Sequence, residues 1–439
     1  MSSLLDLAER VVSRTRALGA EEVNATVSRG SHVTINRRGG RVEQATEATT
    51  RGLVVSLLAN GRFTSNSTSD LREEALDAFL RRCVASAQYL EPDPDRAQAD
   101  SDQCGRGASQ EDLDQDDPAW YQRTADARAV FASELERSLN ERSADDVVSQ
   151  AVYCADGQAE VVRVMSNGFS DSNRGAWFAA GGEMTLKEGD KRPESSAYYA
   201  ARYLDDLPSF DAISDEVVRR TRERLGAGPI ASGTYPLILQ NRVAGRLLGA
   251  LAGPLSGAAL HNRRSCFPDH LSKRIASKHL SIFDDPTRPR GLGSRPWDGD
   301  GRIARPRPIL HEGELQNYYV GVYYGRKLGV DPTVGSRSNW VLGTGEQSWQ
   351  TLARAYPKAI LVTGFLGGNS NSTSGDFSFG IRGLLVEHGE VTQSLSEMNV
   401  SGNLTQIFHR LVAVANDPWT WSAVLSPTLI FEDVHFSGT

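Results

Sequence analysis

The sequence ILVTGFLGGNSNSTSGDFSFGIRGLLV, Ile360–Val386, gives the most informative pattern in the second half of the chain. An apolar run from Ala359 to Val362 leads into a Gly/Asn/Ser/Thr segment, Gly367 to Gly375, and the alternating run Asp376 to Val386 follows. This pattern predicts a strand, a long glycine-rich loop and a second strand. Glycine tolerates positive φ, so such a backbone can approach a ligand or another chain closely. Long loops are often functional, although an ordinary wide hairpin gives the same pattern.

The composition bounds the class of protein. A chain of 439 residues predicts two or three domains, and 39% hydrophobic and 23% charged residues are typical of a soluble globular protein with a sizeable core. A formal net charge of −7 gives no electrostatic reason to expect binding to nucleic acid or to an anionic membrane. The longest apolar runs are strand-sized, so no membrane span is predicted.

The cysteines and the first residues indicate a cytoplasmic location. The start, MSSLLDLAERVVSRT, has no basic region before an apolar core and does not resemble a secretion signal. The four cysteines are scattered and form no CxxC pair; they are Cys83, Cys104, Cys154 and Cys266. This spacing argues against a zinc ribbon or a disulfide scaffold and favours a reducing compartment.

The N-terminal part predicts helix, antiparallel strands and helix. Residues 4–18 have helical periodicity, with Ser3 as the cap and Gly19 at the end. A second helix is predicted from Asp70 to about Leu90, and Asn60-Gly61 predicts a tight hairpin turn. The strand candidates before it are short alternating segments: Glu22–Ser28, His32–Arg37, Val42–Ala48, Gly52–Leu58 and Arg62–Thr64.

An acidic segment interrupts this order. Residues 91–118 hold ten Asp/Glu against two Arg, with three prolines, and predict a solvated linker or mobile loop. Helices are then predicted near residues 120–139 and 214–225. The strand candidates between them are Val147–Cys154, Glu160–Ser166, Gly175–Thr185 and Ser195–Leu204.

A composition change at Gly226–Gly233 predicts a domain boundary, which divides the chain into residues 1–228 and 229–439. The second part opens with a strand, Tyr235–Leu239, and a helix, Val243–Ala252, with Asn241 as the expected N-cap. Short strands and turns dominate from Pro308 onward. The predicted fold class is therefore α+β: an N-terminal α/β-layer domain followed by a β-rich C-terminal domain that carries the glycine-rich loop.

The residues themselves supply no complete catalytic constellation. The glycine segment has no Lys-Ser/Thr after it and precedes a strand, so it is not a P-loop, and no G-x-S-x-G is present. His311-Glu312 is half of a zinc motif, but Leu315 and Gln316 stand where the second histidine is needed, and the dipeptide reads as a turn. Asp284-Asp285 has the chemistry for a cation, although turn carboxylates are more often capping or solvated.

Three stretches together resemble the TldD/PmbA family. They are SCFPDHLSKRIASKHLSIFDDP (Ser265–Pro286), LVTGFLGGNSNSTSGDFSFGIRGLLVEHGE (Leu361–Glu390), and the ending with VSGNLTQIF, ANDP and LSPTLIFEDVHFSG. The resemblance spans essentially the whole chain and is strongest over residues 233–439. It implies one of two branches that pair as a heterodimer, of which the TldD branch is a zinc metallopeptidase.

The resemblance also implies which branch this is. The TldD branch binds zinc through an H-E-x-x-x-H helix and a cysteine near the C-terminus. The corresponding helix here reads NRVAGRLLG from Asn241, with no His or Glu, and the corresponding tail reads ANDPWTW from Ala415, with no Cys. The chain is thus similar to the TldE/PmbA branch without metal. No catalytic residue, metal ligand or cofactor is assigned to it, and zinc is expected in the TldD-type partner.

The function implied is that of a cytoplasmic subunit that completes an enclosed cavity and helps to bind extended peptides, including leader peptides of natural products. A glycine-rich strand region suits strand addition by a peptide backbone. The expected substrate contacts are Gly367, Gly368, Asn369, Asn371, Asp376 and Phe377, although the polar members could instead cap the loop.

Two alternatives remain open. One is an autonomous hydrolase of a small peptide-like biosynthetic intermediate. The Arg-rich stretch 288–307 and four tryptophans would suit its pocket; the tryptophans are Trp340, Trp349, Trp419 and Trp421. Aromatic residues are more often core or interface. The other is a purely structural scaffold subunit.

Overall fold

The structure is a computed structural model that describes residues 3–438. Its N-terminal half is built on an antiparallel six-stranded sheet in the order β3-β2-β1-β4-β5-β6. The strands are β1 (Glu22–Arg38), β2 (Arg41–Ala59), β3 (Arg62–Thr68), β4 (Val147–Met165), β5 (Ser170–Leu186) and β6 (Glu194–Ala201).

These strands are longer than the sequence predicts. The four short candidates between Glu22 and Leu58 are two strands, and the candidates Val147–Cys154 and Glu160–Ser166 are one. The glycine and polar residues that interrupt the pattern in β1 stay extended because β1 is paired with β2 on one side and with β4 on the other. Gly30, for example, pairs with Thr50 and with Ala159. The Asn60-Gly61 turn is confirmed, with φ of 52° and 69° at the two residues.

Four helices cover one face of this sheet. They are α1 (Leu4–Ala17), α2 (Glu73–Ala87), α5 (Ala125–Asn140) and α6 (Phe210–Arg222). Helices α1 and α2 pack over one end of the long strands, and α5 and α6 pack over the other. Ser3 and Asp6 form a capping box that starts α1, as the sequence predicts for Ser3. The predicted helix 120–139 is broken into α4 (Ala119–Gln122) and α5, since Thr124 caps a new start.

The acidic segment 91–118 differs from its prediction. It contains a short helix, α3 (Gln110–Leu113), and its residues Leu113, Gln115 and Asp117 are buried. Gln115 Nε2 donates to the carbonyl oxygens of Gly291 and Ser294 at 3.2 and 3.0 Å. The prediction of a solvated segment is therefore wrong for these residues. The Gln115 side chain joins the N-terminal sheet to the loop around residues 288–294, because its Oε1 also accepts from Asn173 Nδ2 of β5 at 3.4 Å.

The C-terminal half contains a larger sheet that closes on itself. Its order is β12-β7-β18-β15-β13-β14, β16 pairs with β18, and β12 also pairs with β13. The strands are β7 (Gly233–Leu239), β12 (Ala359–Ser370), β13 (Asp376–Glu387), β14 (Glu390–Ser394), β15 (Met398–Asn403), β16 (Leu411–Val414) and β18 (Leu429–Gly438). Their inward side chains form the largest core of the protein, which confirms a β-rich second half.

A smaller sheet and five short helices complete this half. The sheet has the order β10-β9-β8-β11-β17, with β8 (Ile282–Asp284), β9 (Arg307–His311), β10 (Glu314–Leu315), β11 (Trp340–Leu342) and β17 (Val424–Leu425). The helices are α7 (Asn241–Gly249), α8 (Gly257–His261), α9 (Val322–Leu328), α10 (Trp349–Ala353) and α11 (Leu404–Ile407). Within residues 3–438, no helix combines the length and apolarity needed to cross a bilayer.

The packed acidic segment gives a stability prediction. Leu113→Ala removes a side chain that is 0% exposed, so we expect it to lower the free energy of unfolding by about 2–5 kcal/mol. The matched control is Leu90→Ala, since Leu90 is 43% exposed and its loss should change stability by less than about 0.5 kcal/mol. Urea unfolding followed by circular dichroism measures both. Equal stability of the two variants would show that the segment is not packed.

Candidate functional site

The candidate site lies where β7 and β12 separate. Strand β7 pairs only with Ile360–Val362 of β12, and the Gln240 amide then donates to the Val362 carbonyl at 3.2 Å as the chain turns into α7. Strand β12 continues to Ser370, paired with β13 on one side. Among the residues that the structure describes, no strand pairs with residues 363–370 on the other side. We call residues 363–370 the free edge of β12.

The first turn of α7 contacts the tail of the chain. Asn241 Nδ2 donates to the Asp417 carbonyl at 2.7 Å, and the Asn241 amide donates to Thr428 Oγ1 at 3.2 Å. Gln240, not Asn241, holds the cap position, because the Asn241 side chain is used to bind the tail; the predicted N-cap is wrong. The two segments at which the resemblance puts the metal-binding helix and cysteine are thus in direct contact.

Arg242 occupies this junction. Its guanidinium carbon lies 4.0 Å from the ring centre of Trp419 and 4.8 Å from that of Tyr199. Nη2 of Arg242 lies 3.7 Å from Glu216, and Nη1 of Arg220 lies 3.8 Å from the same carboxylate. Burial, together with repulsion by Arg242, lowers the pKa of Arg220 to about 10. The junction is therefore aromatic and cationic.

Such a junction does not fit a zinc ion. Zinc needs three or four thiolate, imidazole or carboxylate donors in a tetrahedral set, whereas Asn241, Arg242 and Trp419 offer an amide, a cation and an indole. The Glu216 carboxylate at the junction lies beside Arg242 and Arg220. Nowhere in residues 3–438 do three His, Cys, Asp or Glu side chains come together as a group able to hold a metal. Burial raises the pKa of the Cys154 thiol to about 12 and that of Cys266 to about 11, which disfavours their thiolates.

Gly368 fixes the shape of the free edge. Its φ is +96°, and a Cβ built on it would lie 2.0 Å from the Ser378 carbonyl oxygen on β13. The pairing of β12 with β13 shifts register twice here, between Val362 and Gly364 and between Phe365 and Gly367. Both observations show why the sequence needs glycine: the backbone bends and lies too close to its neighbour for a side chain.

Two arginines donate to backbone carbonyls of the free edge. Arg220 Nη2 donates to Thr363 O and Arg246 Nη2 donates to Gly368 O, each at 2.9 Å. Arg246 also lies over the Phe379 ring, 5.2 Å from its centre. Leu366, between the two carbonyls, is 43% exposed. The site thus offers a backbone edge without a strand partner, an apolar side chain and guanidinium groups.

The hairpin loop is shorter than the sequence predicts. Gly367 and Gly368 belong to β12, and the loop is limited to residues 371–375. Asn371 and Asp376 hold it: the Asn371 amide donates to Asp376 O at 2.8 Å, and Asn371 Oδ1 accepts from the Thr373 amide at 2.8 Å. Hydrogen bonds from Ser374 and Asn403 keep the pKa of the Asp376 carboxyl below its usual range. These two side chains therefore cap the loop, which is the alternative left open above.

The remaining predicted contacts separate into exposed and buried positions. Gly367, Gly368 and Asn369 are exposed on the free edge. Phe377 is 4% exposed and stacks on Phe379 with ring centres 5.4 Å apart, so its side chain is part of the core. The sequence interpretation missed Leu366, Arg242 and Arg246; the only signal for the arginines was their spacing of four on a predicted helix.

The other candidates have structural contacts. Asp284 is buried and accepts from Tyr319 Oη at 2.6 Å and from the Ser338 amide at 3.1 Å, so protein donors already satisfy its carboxylate. Trp340 is in the core, and Trp419 and Trp421 pack against the N-terminal sheet beside Tyr199. Arg290, in the Arg-rich stretch, pairs with Asp114 and Asp206. His311-Glu312 lies at the predicted turn, with Glu312 at φ 47°.

Two family models match the chain. Residues 232–438 match the PmbA/TldA metallopeptidase C-terminal domain, and residues 25–87 match PmbA/TldA metallopeptidase domain 1. The metalloprotease PmbA of Escherichia coli O157:H7 is 26% identical over 424 residues, which cover 96% of this chain and 92% of that protein.

Solved structures share the fold over nearly the full length. A Bacteroides thetaiotaomicron protein, described as a candidate modulator of DNA gyrase, superposes with a TM-score of 0.93 and 32% identity, covering 99% of this chain and 98% of that one. TldE from Thermococcus kodakarensis superposes with a TM-score of 0.87 over 98% of this chain and 100% of that one. At 17% identity, that second likeness concerns the fold alone.

The geometry of the free edge predicts a large effect at one glycine of β12 and a small effect at another. Gly368→Ala meets both a positive φ and the Ser378 carbonyl, so we expect it to destabilise the protein by about 1–3 kcal/mol or to distort the hairpin. At Gly364 the added Cβ meets only the Arg382 side chain, at 3.5 Å or more, so Gly364→Ala should change stability by less than about 1 kcal/mol. Thermal unfolding of the two variants gives the comparison; a neutral Gly368→Ala would contradict the close approach of β12 to β13.

Proposed function

This chain belongs to the TldD/PmbA metallopeptidase family, and from that premise we propose that it is the TldE-type subunit of a heterodimeric zinc metallopeptidase. A TldD-type partner supplies zinc and the hydrolytic chemistry. This chain completes the enclosed cavity and binds the peptide in extended form. The substrates proposed are unfolded peptides, including leader peptides of ribosomally made natural products, and the complex is cytoplasmic. The proposed division of the chain remains residues 1–228 and 229–439.

One observation carries the assignment to the branch without metal. The first turn of α7 and the tail meet, as a shared zinc site would require, but the side chains at the junction are Asn241, Arg242 and Trp419. Arg242 is fixed there by Glu216 and by two aromatic rings, so its positive charge is a built feature of the junction. A guanidinium opposes a divalent cation and cannot act as a ligand. The chemistry of peptide hydrolysis is therefore assigned to the partner.

The free edge supports the peptide-binding role. An exposed edge strand presents unpaired N–H and C=O groups that pair readily with another extended chain. Residues 363–370 have no strand partner on this side, and residues 366–370 of them are exposed. Arginines occupy the carbonyls of Thr363 and Gly368, and Leu366 adds an exposed apolar contact. Backbone pairing accepts many sequences but requires an unfolded chain. This explains in physical terms how the subunit would select peptides over folded proteins.

Co-expression with a TldD-type candidate tests the subunit role. We expect the two chains to copurify in equal amounts, and we expect peptide cleavage only by the pair, with loss of activity in a chelator and recovery with zinc. Metal analysis of each separated chain should give zinc in the partner alone. Hydrolysis by this chain in isolation, with one zinc per chain, would instead identify the autonomous hydrolase considered above.

The edge itself is tested by a charge on its apolar residue. Leu366→Lys places a cation on the free edge, and we expect KM for a neutral, unstructured peptide to rise about fivefold, because a strand pair contact and apolar burial are lost. Val391→Lys is the matched control: Val391 is 44% exposed on β14, away from the free edge, and should leave KM unchanged. Equal KM values for both variants and the parent would indicate that the free edge does not contact the substrate and would favour the scaffold alternative.

A further inference from the structure

Arg246 of α7 contacts the free edge and is held in place there. Nη2 donates to Gly368 O at 2.9 Å, and the guanidinium lies over Phe379. The residue is exposed on α7, so its remaining N–H groups face solvent. An arginine that is already oriented by a carbonyl and a ring loses less conformational entropy when it binds a further group.

The charge of Arg246 is not neutralised within the described part of the chain. No carboxylate of residues 3–438 lies within 4.0 Å of its guanidinium nitrogens. Two other arginines around the free edge have carboxylate partners: Arg242 lies 3.7 Å from Glu216, and Arg382 lies 3.6 Å from Glu194. Arg246 therefore differs from Arg242 and Arg382 in having an oriented charge without a carboxylate partner.

The hairpin offers no counter-ion for Arg246. Asp376 is the only acidic residue between Ala359 and Val386, and its Oδ1 accepts from Asn403 Nδ2 at 2.8 Å. That bond keeps its carboxylate at the far end of the hairpin, beside the loop 371–375. A ligand can therefore supply the carboxylate without displacing a partner that is already present.

We propose that Arg246 binds a carboxylate of the peptide that pairs with the free edge, an inference that rests on the proposed peptide-binding function. The guanidinium presents a planar fork of N–H donors that matches a carboxylate in two parallel hydrogen bonds. The carboxylate belongs to an acidic side chain or to the free C-terminus of the peptide. Arg246 thus gives sequence or end specificity to a site whose backbone pairing has none.

Three fluorescent peptides of one unstructured sequence separate these sources. The first is neutral with an amidated C-terminus, the second has the free C-terminal carboxylate, and the third is amidated with one central Glu. Anisotropy titration with the purified full-length chain gives each Kd at low and high salt. The variants are Arg246→Gln and Arg246→Lys, and the control is Arg81→Gln, which removes the same charge from the exposed side of α2.

We expect the parent chain to bind at least one carboxylate-bearing peptide about tenfold more tightly than the neutral one, with the difference reduced by salt. Arg246→Gln should remove this difference and leave the Kd of the neutral peptide unchanged, Arg246→Lys should retain part of it, and Arg81→Gln should behave as the parent.

Two outcomes overturn the inference while the proposed function stands. In one, the parent binds all three peptides with equal Kd. In the other, Arg246→Gln weakens all three alike, which assigns Arg246 to the shape of the Gly368 backbone. If the parent binds no peptide, including the neutral one, the free edge is not a peptide site, and the peptide-binding part of the proposed function fails with it.

Discussion

The site depends on one mismatch in strand pairing. Strand β7 leaves β12 after Leu239, whereas β12 continues to Ser370 beside β13. The backbone N–H and C=O groups of β12 beyond Val362 have no hydrogen-bond partner in β7, so they must bond to other groups or to solvent. Arg220 and Arg246 satisfy two of the carbonyls, Thr363 and Gly368, in place of a neighbouring strand. The same mismatch starts α7, because the chain that leaves the sheet turns directly into that helix.

The two halves of the protein meet beside this site. Trp419 and Trp421, from the C-terminal half, pack on Tyr199 of β6, and Arg242 of α7 lies against the same rings. Glu216 of α6 lies 3.7 Å from Arg242 and 3.8 Å from Arg220. The carboxylate therefore links a helix of the first half to the helix that borders the free edge. A substitution at this junction should therefore affect the packing of both halves, because residues in one network do not contribute independently to stability.

The sequence predicted the parts of the fold that local rules control. The α1 cap at Ser3, the Asn60-Gly61 turn and the α+β division follow from capping chemistry, turn geometry and hydrophobic periodicity. The predictions from sequence were wrong where residues distant in the chain determine the local structure. The long strands continue through polar positions because neighbours hold them, and Gly367 and Gly368 stay in β12 because β13 pairs with them. Arg246 could not be recognised from the sequence, since its significance comes from Gly368, 122 positions away.

The contacts of Gln115 have a consequence for the order in which the protein can mature. Its amide reaches the carbonyls of Gly291 and Ser294, which lie 176 and 179 positions later in the chain. A growing polypeptide leaves the ribosome from its N-terminus, and early parts generally fold first. The side-chain amide of Gln115 therefore lacks these two acceptors until almost two hundred more residues have been translated. The ten carboxylates of the acidic segment favour its solubility during that interval. A composition typical of a linker therefore also suits a segment that is packed in the final fold.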